Sequence, residues 1–101
     1  MIGAVEGALR DVDILLCASA MDPPSRIDNP EEIERTYPRQ ARAPFNVTGH
    51  PALAMMSGLS SGGLPLSVQF VGRYFAEATL FQVAREWERA AGTDNKHPPV
   101  V

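Results

Sequence analysis

The chain has 101 residues, the length of one small domain, and its 45% apolar and 21% charged residues are typical of a folded globular protein rather than a disordered one. Nine basic against twelve acidic residues give a net charge of −3, which argues against nucleic acid as a partner, since phosphate backbones require a basic surface. The single cysteine, Cys17, excludes an internal disulfide and a zinc cluster, and the longest uncharged apolar stretch, residues 14–21, is far shorter than the ~20 residues of a spanning helix, so we expect a cytoplasmic chain without membrane, metal or cofactor.

The first two predicted elements are a weak helix and a short strand. Residues 2–9 carry apolar side chains at helical spacing but also two glycines. Residues 13–18 are an apolar run that ends before Pro23 and Pro24, which predicts a strand buried on both faces. In that strand Cys17 is expected to be a small buried side chain.

A second helix is predicted to begin at Asn29. Asn29 is a good N-cap, Pro30 suits the first helical position, and Glu32 would complete a capping box. The helix must end before Pro38. Three arginines follow at helical spacing, but Pro38 interrupts their shared face, so a solvated charged surface is favoured over an anion site; they are Arg35, Arg39 and Arg42.

The centre of the chain predicts a helical turn followed by a β-hairpin. Residues 44–49 form the turn, which ends on Gly49. Strands are expected at residues 52–57 and 64–71, joined by the turn sequence SSGG at residues 60–63. The second strand alternates strictly, with Leu64, Leu66, Val68 and Phe70 on one face and Pro65, Ser67 and Gln69 on the other. Pro65 lacks an N–H and should start the strand at an edge or outside the ladder.

Residues 76–91 give the strongest helical pattern, and Gly92 is expected to terminate it. The apolar stripe consists of Leu80, Val83, Ala84, Trp87 and Ala91. Ala76 stands at the expected N-cap position without a capping side chain. The tail from residue 94 contains Pro98 and Pro99 and should not extend the helix.

Four stretches together resemble the C-terminal end of the amidase signature family. They are residues 11–16 (DVDILL), 44–52 (PFNVTGHPA), 63–73 (GLPLSVQFVGR) and 77–80 (EATL), in the family's order and spacing. The resemblance implies an α/β fold in which one domain, residues 1–101, forms part of a mixed sheet flanked by helices. It also implies amide hydrolysis or transfer by the complete enzyme.

The resemblance assigns no catalytic residue to this chain. Family members use a serine nucleophile, a second serine with a cis peptide bond, and a lysine, all in the N-terminal and central parts of a much longer chain, and none maps here. Ser60 and Ser61 resemble the family's glycine-serine segment but are interpreted as the hairpin turn. The single lysine, Lys96, lies in the polar tail and is expected to stay charged and solvated.

The resemblance implies that the stretch around the helical turn approaches the substrate pocket. It gives Phe45, Asn46 and His50 as candidate pocket-wall residues, with His50 interpreted first as an ordinary loop residue and second as part of the wall. Asn46 and Thr48 are expected to bond backbone groups around the turn. His50 and His97 are too far apart in sequence, with no ligand cluster nearby, to indicate a metal site.

Three hypotheses for function remain open. The chain is the C-terminal segment of an amide hydrolase, or a non-catalytic module derived from one, or a small stand-alone hydrolase that uses Ser60 or Ser61. Because a partial sheet leaves unpaired edges, we expect self-association or assembly with the missing N-terminal part of an amidase. A small amide would be the substrate only in the complete enzyme, and the isolated chain is expected to be inactive.

Overall fold

The computed structural model describes residues 1–92, and the predicted tail with Lys96, His97 and the two late prolines lies outside the described residues. In chain order the elements are α1 (Ile2–Ala8), β1 (Ile14–Ala18), α2 (Pro30–Thr36), a 3₁₀ turn (Tyr37–Arg39), α3 (Ala43–Thr48), β2 (Ala52–Leu59), β3 (Pro65–Gly72) and α4 (Glu77–Ala91). The predicted fold class, a small sheet with short helices, a hairpin and a long amphipathic helix, is confirmed.

The sheet has three strands in the order β1-β3-β2, and both pairings are antiparallel. The predicted hairpin turn is present: the Ser60 N–H donates to the Leu64 carbonyl at 2.7 Å, and the Gly63 N–H donates back to the Ser60 carbonyl at 2.9 Å. Gly63 has φ of 82°, the left-handed region that glycine enters at little cost. The turn therefore explains Ser60 and Gly63 without any catalytic role.

The prediction that the first strand is buried on both faces is wrong. Within residues 1–92 β1 pairs only with β3, so one of its edges has no neighbouring strand there, and Leu16 is 57% exposed. Cys17 is half-buried rather than buried. The apolar run suggested more burial than β1 has, because α4 packs on β2 and β3 and no helix in the described part of the chain packs comparably on β1.

The second hairpin strand is present as predicted, but burial along it does not follow the alternation of its residue types. Gln69, on the face that it shares with Pro65 and Ser67, is 1% exposed, whereas Leu64 and Leu66 on the other face are 43% and 37% exposed. The reason is that β3 is the central strand, and only its second half, from Val68, also pairs with β1. Pro65 begins β3 where β1 is absent, at a local edge as predicted.

Helix α4 packs across the hairpin as its apolar stripe predicts. Leu80 and Ala84 are buried, and the Trp87 ring meets the Phe70 ring edge to face at 5.7 Å. A Cβ on Gly72 would lie 3.4 Å from Leu80, so glycine lets the helix approach the sheet closely. The stripe is shorter than predicted, since Ala91 is exposed. Gly92 ends α4 in the left-handed conformation, and Ala76 provides no side-chain cap, both as predicted.

Helix α2 begins and ends as predicted, with one difference in its cap. The Glu32 N–H donates to the Asn29 side-chain oxygen at 3.1 Å, and Pro30 is the first helical residue. The Glu32 carboxylate accepts from the Asn29 side-chain amide at 3.3 Å instead of completing the reciprocal backbone bond of a capping box. The arginines of the following turn are exposed, and Arg39 pairs with Asp22 at 2.7 Å, which fits a solvated surface.

Candidate functional site

The three candidate pocket-wall residues line one cleft of about 330 Å³ on the face of the sheet opposite α4. The cleft is lined by Arg42, Phe45, Asn46, His50, Ala52, Ala54 and Gln69. Ala52 and Ala54 are small and exposed, so the strand surface that they form is the bottom of the cleft. Helix α3 supplies the side wall. The structure therefore places the three candidate residues along the same cleft.

Helix α3 is short because a proline sets its start and a glycine in the left-handed conformation ends it. Pro44 lies in its first turn, and Gly49 follows its last residue with φ of 78°. The Gly49 N–H donates to the Phe45 carbonyl at 2.9 Å, which closes the last turn. The left-handed residue reverses the chain, so that His50 enters the protein just before β2 begins.

His50 lies in the loop between α3 and β2, and its side chain is fully buried. One ring nitrogen, Nδ1, lies 2.8 Å from Thr48 Oγ1, and the other, Nε2, lies 2.6 Å from Glu6 Oε1. An ionised carboxylate only accepts hydrogen bonds, so Nε2 donates to Glu6, and in the neutral ring Nδ1 accepts from the Thr48 hydroxyl. Thr48 therefore bonds a side chain, not the backbone group we expected.

Tyr74 holds the same ring from its face. The Tyr74 and His50 rings stack with their centroids 4.1 Å apart and their planes at 19°. The Tyr74 hydroxyl donates to the Thr48 carbonyl at 2.6 Å. The stacked Tyr74 ring and the two hydrogen bonds, to Thr48 and Glu6, together hold the imidazole in one orientation.

Helix α1 brings Glu6 to this cluster and is itself tied down by Arg73. The Arg73 guanidinium donates to the Leu9 carbonyl at 3.1 and 3.2 Å and to the Val12 carbonyl at 2.8 Å. Leu9 ends α1 and is 2% exposed. Sequence reasoning missed Glu6, Arg73 and Tyr74, because each bonds a residue far away in the chain. The short spacing of Thr48 and His50 was the one available signal.

Gln69 forms the buried back of the cleft. Its side-chain amide donates to the Ala18 carbonyl at 2.9 Å and to the Ala41 carbonyl at 3.0 Å. It thereby joins the end of β1 to the segment before α3. Burial raises the pKa of the neighbouring Cys17 thiol, and a hydrogen bond with Gln69 opposes this. A neutral thiol is a weak nucleophile, so Cys17 is poorly suited to attack a carbonyl.

A larger cleft of about 640 Å³ lies between the loop after β1 and the first half of β3. Its lining includes exposed residues such as Tyr37 and Leu66, which are 73% and 37% exposed. It contains none of the predicted wall residues. A site needs side chains held in place, and only the smaller cleft has a buried hydrogen-bonded ring in its wall.

Thr48, His50 and Glu6 are the residue types of a nucleophile, a base and an orienting carboxylate. Thr48, however, is only 5% exposed, so a substrate carbonyl cannot reach its hydroxyl in this conformation. His50 lies two residues before the start of β2, and Ser60 lies directly after its end. An eight-residue strand of about 26 Å therefore separates them. Ser60 and His50 therefore do not meet as a nucleophile and a base.

Two further features can be stated for residues 1–92. His, Cys, Asp and Glu side chains are nowhere grouped in threes as metal ligands. No helix in this part of the chain has the length and apolar character needed to cross a membrane.

Known proteins similar to this chain are amide hydrolases and amidotransferases. The family model described as Amidase matches residues 1–81. The putative amidase AmiD of Mycobacterium bovis is 36% identical over 95 residues, which are 89% of this chain and 20% of that protein. A glutamyl-tRNA(Gln) amidotransferase subunit from Bartonella henselae is 51% identical over 49 residues, which are 48% of this chain and 10% of that protein.

A solved structure shares the fold. The 6-aminohexanoate cyclic dimer hydrolase, complexed with its substrate, superimposes with a TM-score of 0.70 at 29% identity. The match covers 89% of this chain and 22% of that one. The chain therefore spans about a fifth of the length of the relatives that it matches over most of its own length.

Proposed function

The chain belongs to the amidase family, and from this premise we propose that it forms the C-terminal segment of an amide hydrolase. In this role it contributes strands to the enzyme's sheet and one wall of the substrate pocket, while the nucleophile, its base and the oxyanion donors belong to other parts of the enzyme. The substrate is a small amide, and it binds only in the complete enzyme.

The observation that carries the proposal is the rigid cleft wall. Phe45, Asn46 and His50 line one cleft, and His50 is held there by Glu6 and Thr48 at 2.6 and 2.8 Å. The buried His50 ring, fixed from two sides, holds the chain between α3 and β2 in place, so that the half-buried Phe45 and the exposed Asn46 face a ligand in one geometry. Solvated loop residues would not need such a network.

The isolated chain is proposed to be inactive. Amide hydrolysis needs an accessible nucleophile, a base within hydrogen-bond reach and oxyanion donors. Ser60 and Ser61 lie in the hairpin turn, and the Ser60 side chain accepts from the Leu64 N–H at 3.1 Å. A non-catalytic module descended from an amidase remains the alternative, and it differs only in having no enzyme to complete.

The proposed partners follow from the incomplete sheet. Among the residues that the structure describes, both outer strands have an edge without a strand beside it, and Leu16 and Leu66 are exposed. Such surfaces are covered either by a second copy or by the N-terminal part of an amidase. We place the protein in the cytoplasm, since its single cysteine suits a reducing compartment.

A complementation experiment tests the proposal. The chain, the remaining four-fifths of AmiD, and their mixture are each assayed for ammonia release from a set of aliphatic and aryl amides. We expect turnover from the mixture only, and expect His50→Ala to weaken it while Ser61→Ala leaves it unchanged. Turnover by the chain alone that Ser61→Ala abolishes would instead establish a stand-alone hydrolase. A mixture that forms no complex and releases no ammonia would favour the non-catalytic module.

A further inference from the structure

One residue of the loop between β3 and α4, Tyr74, contacts the turn that leads from α3 to β2. Its hydroxyl donates to the Thr48 carbonyl at 2.6 Å, and its ring stacks on the His50 ring with the centroids 4.1 Å apart. A Cβ on Gly49, between these two residues, would lie 3.9 Å from the Tyr74 ring. Tyr74 therefore lies against three consecutive residues at the end of α3.

Helix α3 relies on tertiary hydrogen bonds at its two ends. Its six residues are too few for a stable isolated helix, and its N-cap residue provides no capping side chain. The carbonyls at the end of a helix have no partner within it, and that of Thr48 obtains one from Tyr74. At the other end the Gln69 side chain donates to the Ala41 carbonyl at 3.0 Å. These two bonds fix the helix at its start and at its end.

Tyr74 is itself fixed, because its neighbours in the loop are held. The Arg73 guanidinium donates to backbone carbonyls at and after the end of α1, at distances between 2.8 and 3.2 Å. The Ala76 N–H donates to the Arg73 carbonyl at 3.0 Å and closes a turn. Inside this turn Phe75 has φ of 64°, a left-handed conformation that a bulky residue keeps only where the surrounding structure imposes it. The loop is therefore a rigid support from which Tyr74 reaches α3.

We propose that Tyr74 is a positioning residue for amide binding. It does not line the cleft, and it acts through the Thr48 carbonyl on Phe45 and Asn46, which do. Phe45 lies three residues before Thr48, about one helical turn, so a shift at the end of α3 displaces both side chains of the wall. The inference rests on the proposed function and deepens it by naming the residue that keeps the wall aligned.

Loss of this alignment should weaken substrate binding and leave the chemical step alone. The nucleophile and its base are proposed to belong to other parts of the enzyme, so a tilted wall does not displace them. Contacts between the wall and the bound amide are lost equally in the ground state and the transition state, which raises KM at constant kcat. A residue needed only for folding would instead reduce the amount of active enzyme, and so lower the apparent kcat at constant KM.

Ammonia release by the mixture of this chain and the remaining four-fifths of AmiD measures that difference. Tyr74→Phe keeps the stacked ring and removes only the hydroxyl, so it should raise KM about three- to tenfold and keep kcat within about twofold of wild type. The matched control is Tyr37→Phe, because Tyr37 is the other tyrosine of the chain and is 73% exposed. It should behave like wild type. Wild-type kinetics of Tyr74→Phe, a lower kcat at unchanged KM, or an equal rise of KM in the control overturns the proposal.

Hydrogen exchange of the chain alone tests the structural step without the enzyme. The Gly49 N–H donates to the Phe45 carbonyl at 2.9 Å, so its exchange rate reports whether the last turn of α3 is closed. Tyr74→Phe should speed this exchange about three- to tenfold, and Tyr37→Phe should leave it unchanged. The amides of α4 are the reference. If they speed up as much as Gly49 does, the hydroxyl supports the whole fold and the positioning role is wrong.

The two measurements separate this inference from the enzyme proposal. A wild-type mixture that releases no ammonia contradicts the enzyme proposal, and faster exchange at Gly49 in Tyr74→Phe would then still support the hold of Tyr74 on α3. A working mixture whose kinetics do not respond to Tyr74→Phe contradicts the inference and leaves the enzyme proposal standing. Unchanged exchange at Gly49 in Tyr74→Phe contradicts the inference whatever the mixture does.

Discussion

The two ends of the β2–β3 hairpin are built in different ways. At the open end, where β2 begins and β3 finishes, α1, α3 and α4 converge, and Phe70, Val71 and His50 are all less than 5% exposed. At the turn end Leu59, Leu64 and Leu66 have 37–51% of their surface exposed. The same hairpin is therefore packed into the core at one end and exposed to solvent at the other. The free energy of unfolding should depend mainly on the contacts at the open end.

The largest effect is expected for Leu80→Ala. Leu80 is 3% exposed and packs on Gly72 at the open end, so its truncation leaves a cavity and should lower the free energy of unfolding by about 2–4 kcal/mol. Leu66→Ala at the turn end removes the same atoms from a 37% exposed site and should lower it by less than about 1 kcal/mol. Urea denaturation of both variants measures the difference, and equal losses would remove the distinction between the ends.

An intermediate effect is expected for His50→Ala. Removing the ring leaves the buried Thr48 hydroxyl without its partner and detaches Glu6, so unfolding should cost about 1–3 kcal/mol less. Asn46→Ala is the matched control, because Asn46 lines the same cleft but is exposed. Its stability should stay within about 0.5 kcal/mol of wild type. Thermal unfolding followed by circular dichroism compares the two, and an unchanged His50→Ala would show that the network adds no stability.

The smallest effect sharpens the picture of the turn end. Gly63 has φ of 82° and open space around its Cα, so Gly63→Ala should cost about 1 kcal/mol from backbone strain alone. Gly62 lies beside it without a positive φ, and Gly62→Ala should be nearly neutral. Chemical denaturation measures both. A neutral Gly63→Ala would mean that the turn can adopt a different conformation without loss.

Local signals predicted most of the elements and few of the long-range contacts. Asn29, Gly49 and Gly92 act on backbone groups within a few residues, and each cap or turn was predictable from its own neighbourhood. The alternation along β3 failed because burial there depends on which strands and helices lie beside it. Period alone cannot tell a central strand from an edge strand that shows the same pattern.

The candidate site divides in the same way. Phe45, Asn46 and His50 lie within one short stretch, and their resemblance to a family motif was enough to group them. Glu6 is 44 residues away from His50, and Tyr74 is 26 residues away from Thr48. No spacing rule connects such pairs, because the sheet and α1 must first fold to bring them together.

The hydrogen bonds through His50 have a direction. In the neutral ring the Thr48 hydroxyl donates to Nδ1 and Nε2 donates to Glu6, because an ionised carboxylate has no proton to give back. A glutamine at position 6 could donate or accept, and the imidazole would then exchange between two tautomers. The acidic side chain thus gives this part of the protein a fixed polarity that an isosteric amide would erase, even with every heavy atom left in place.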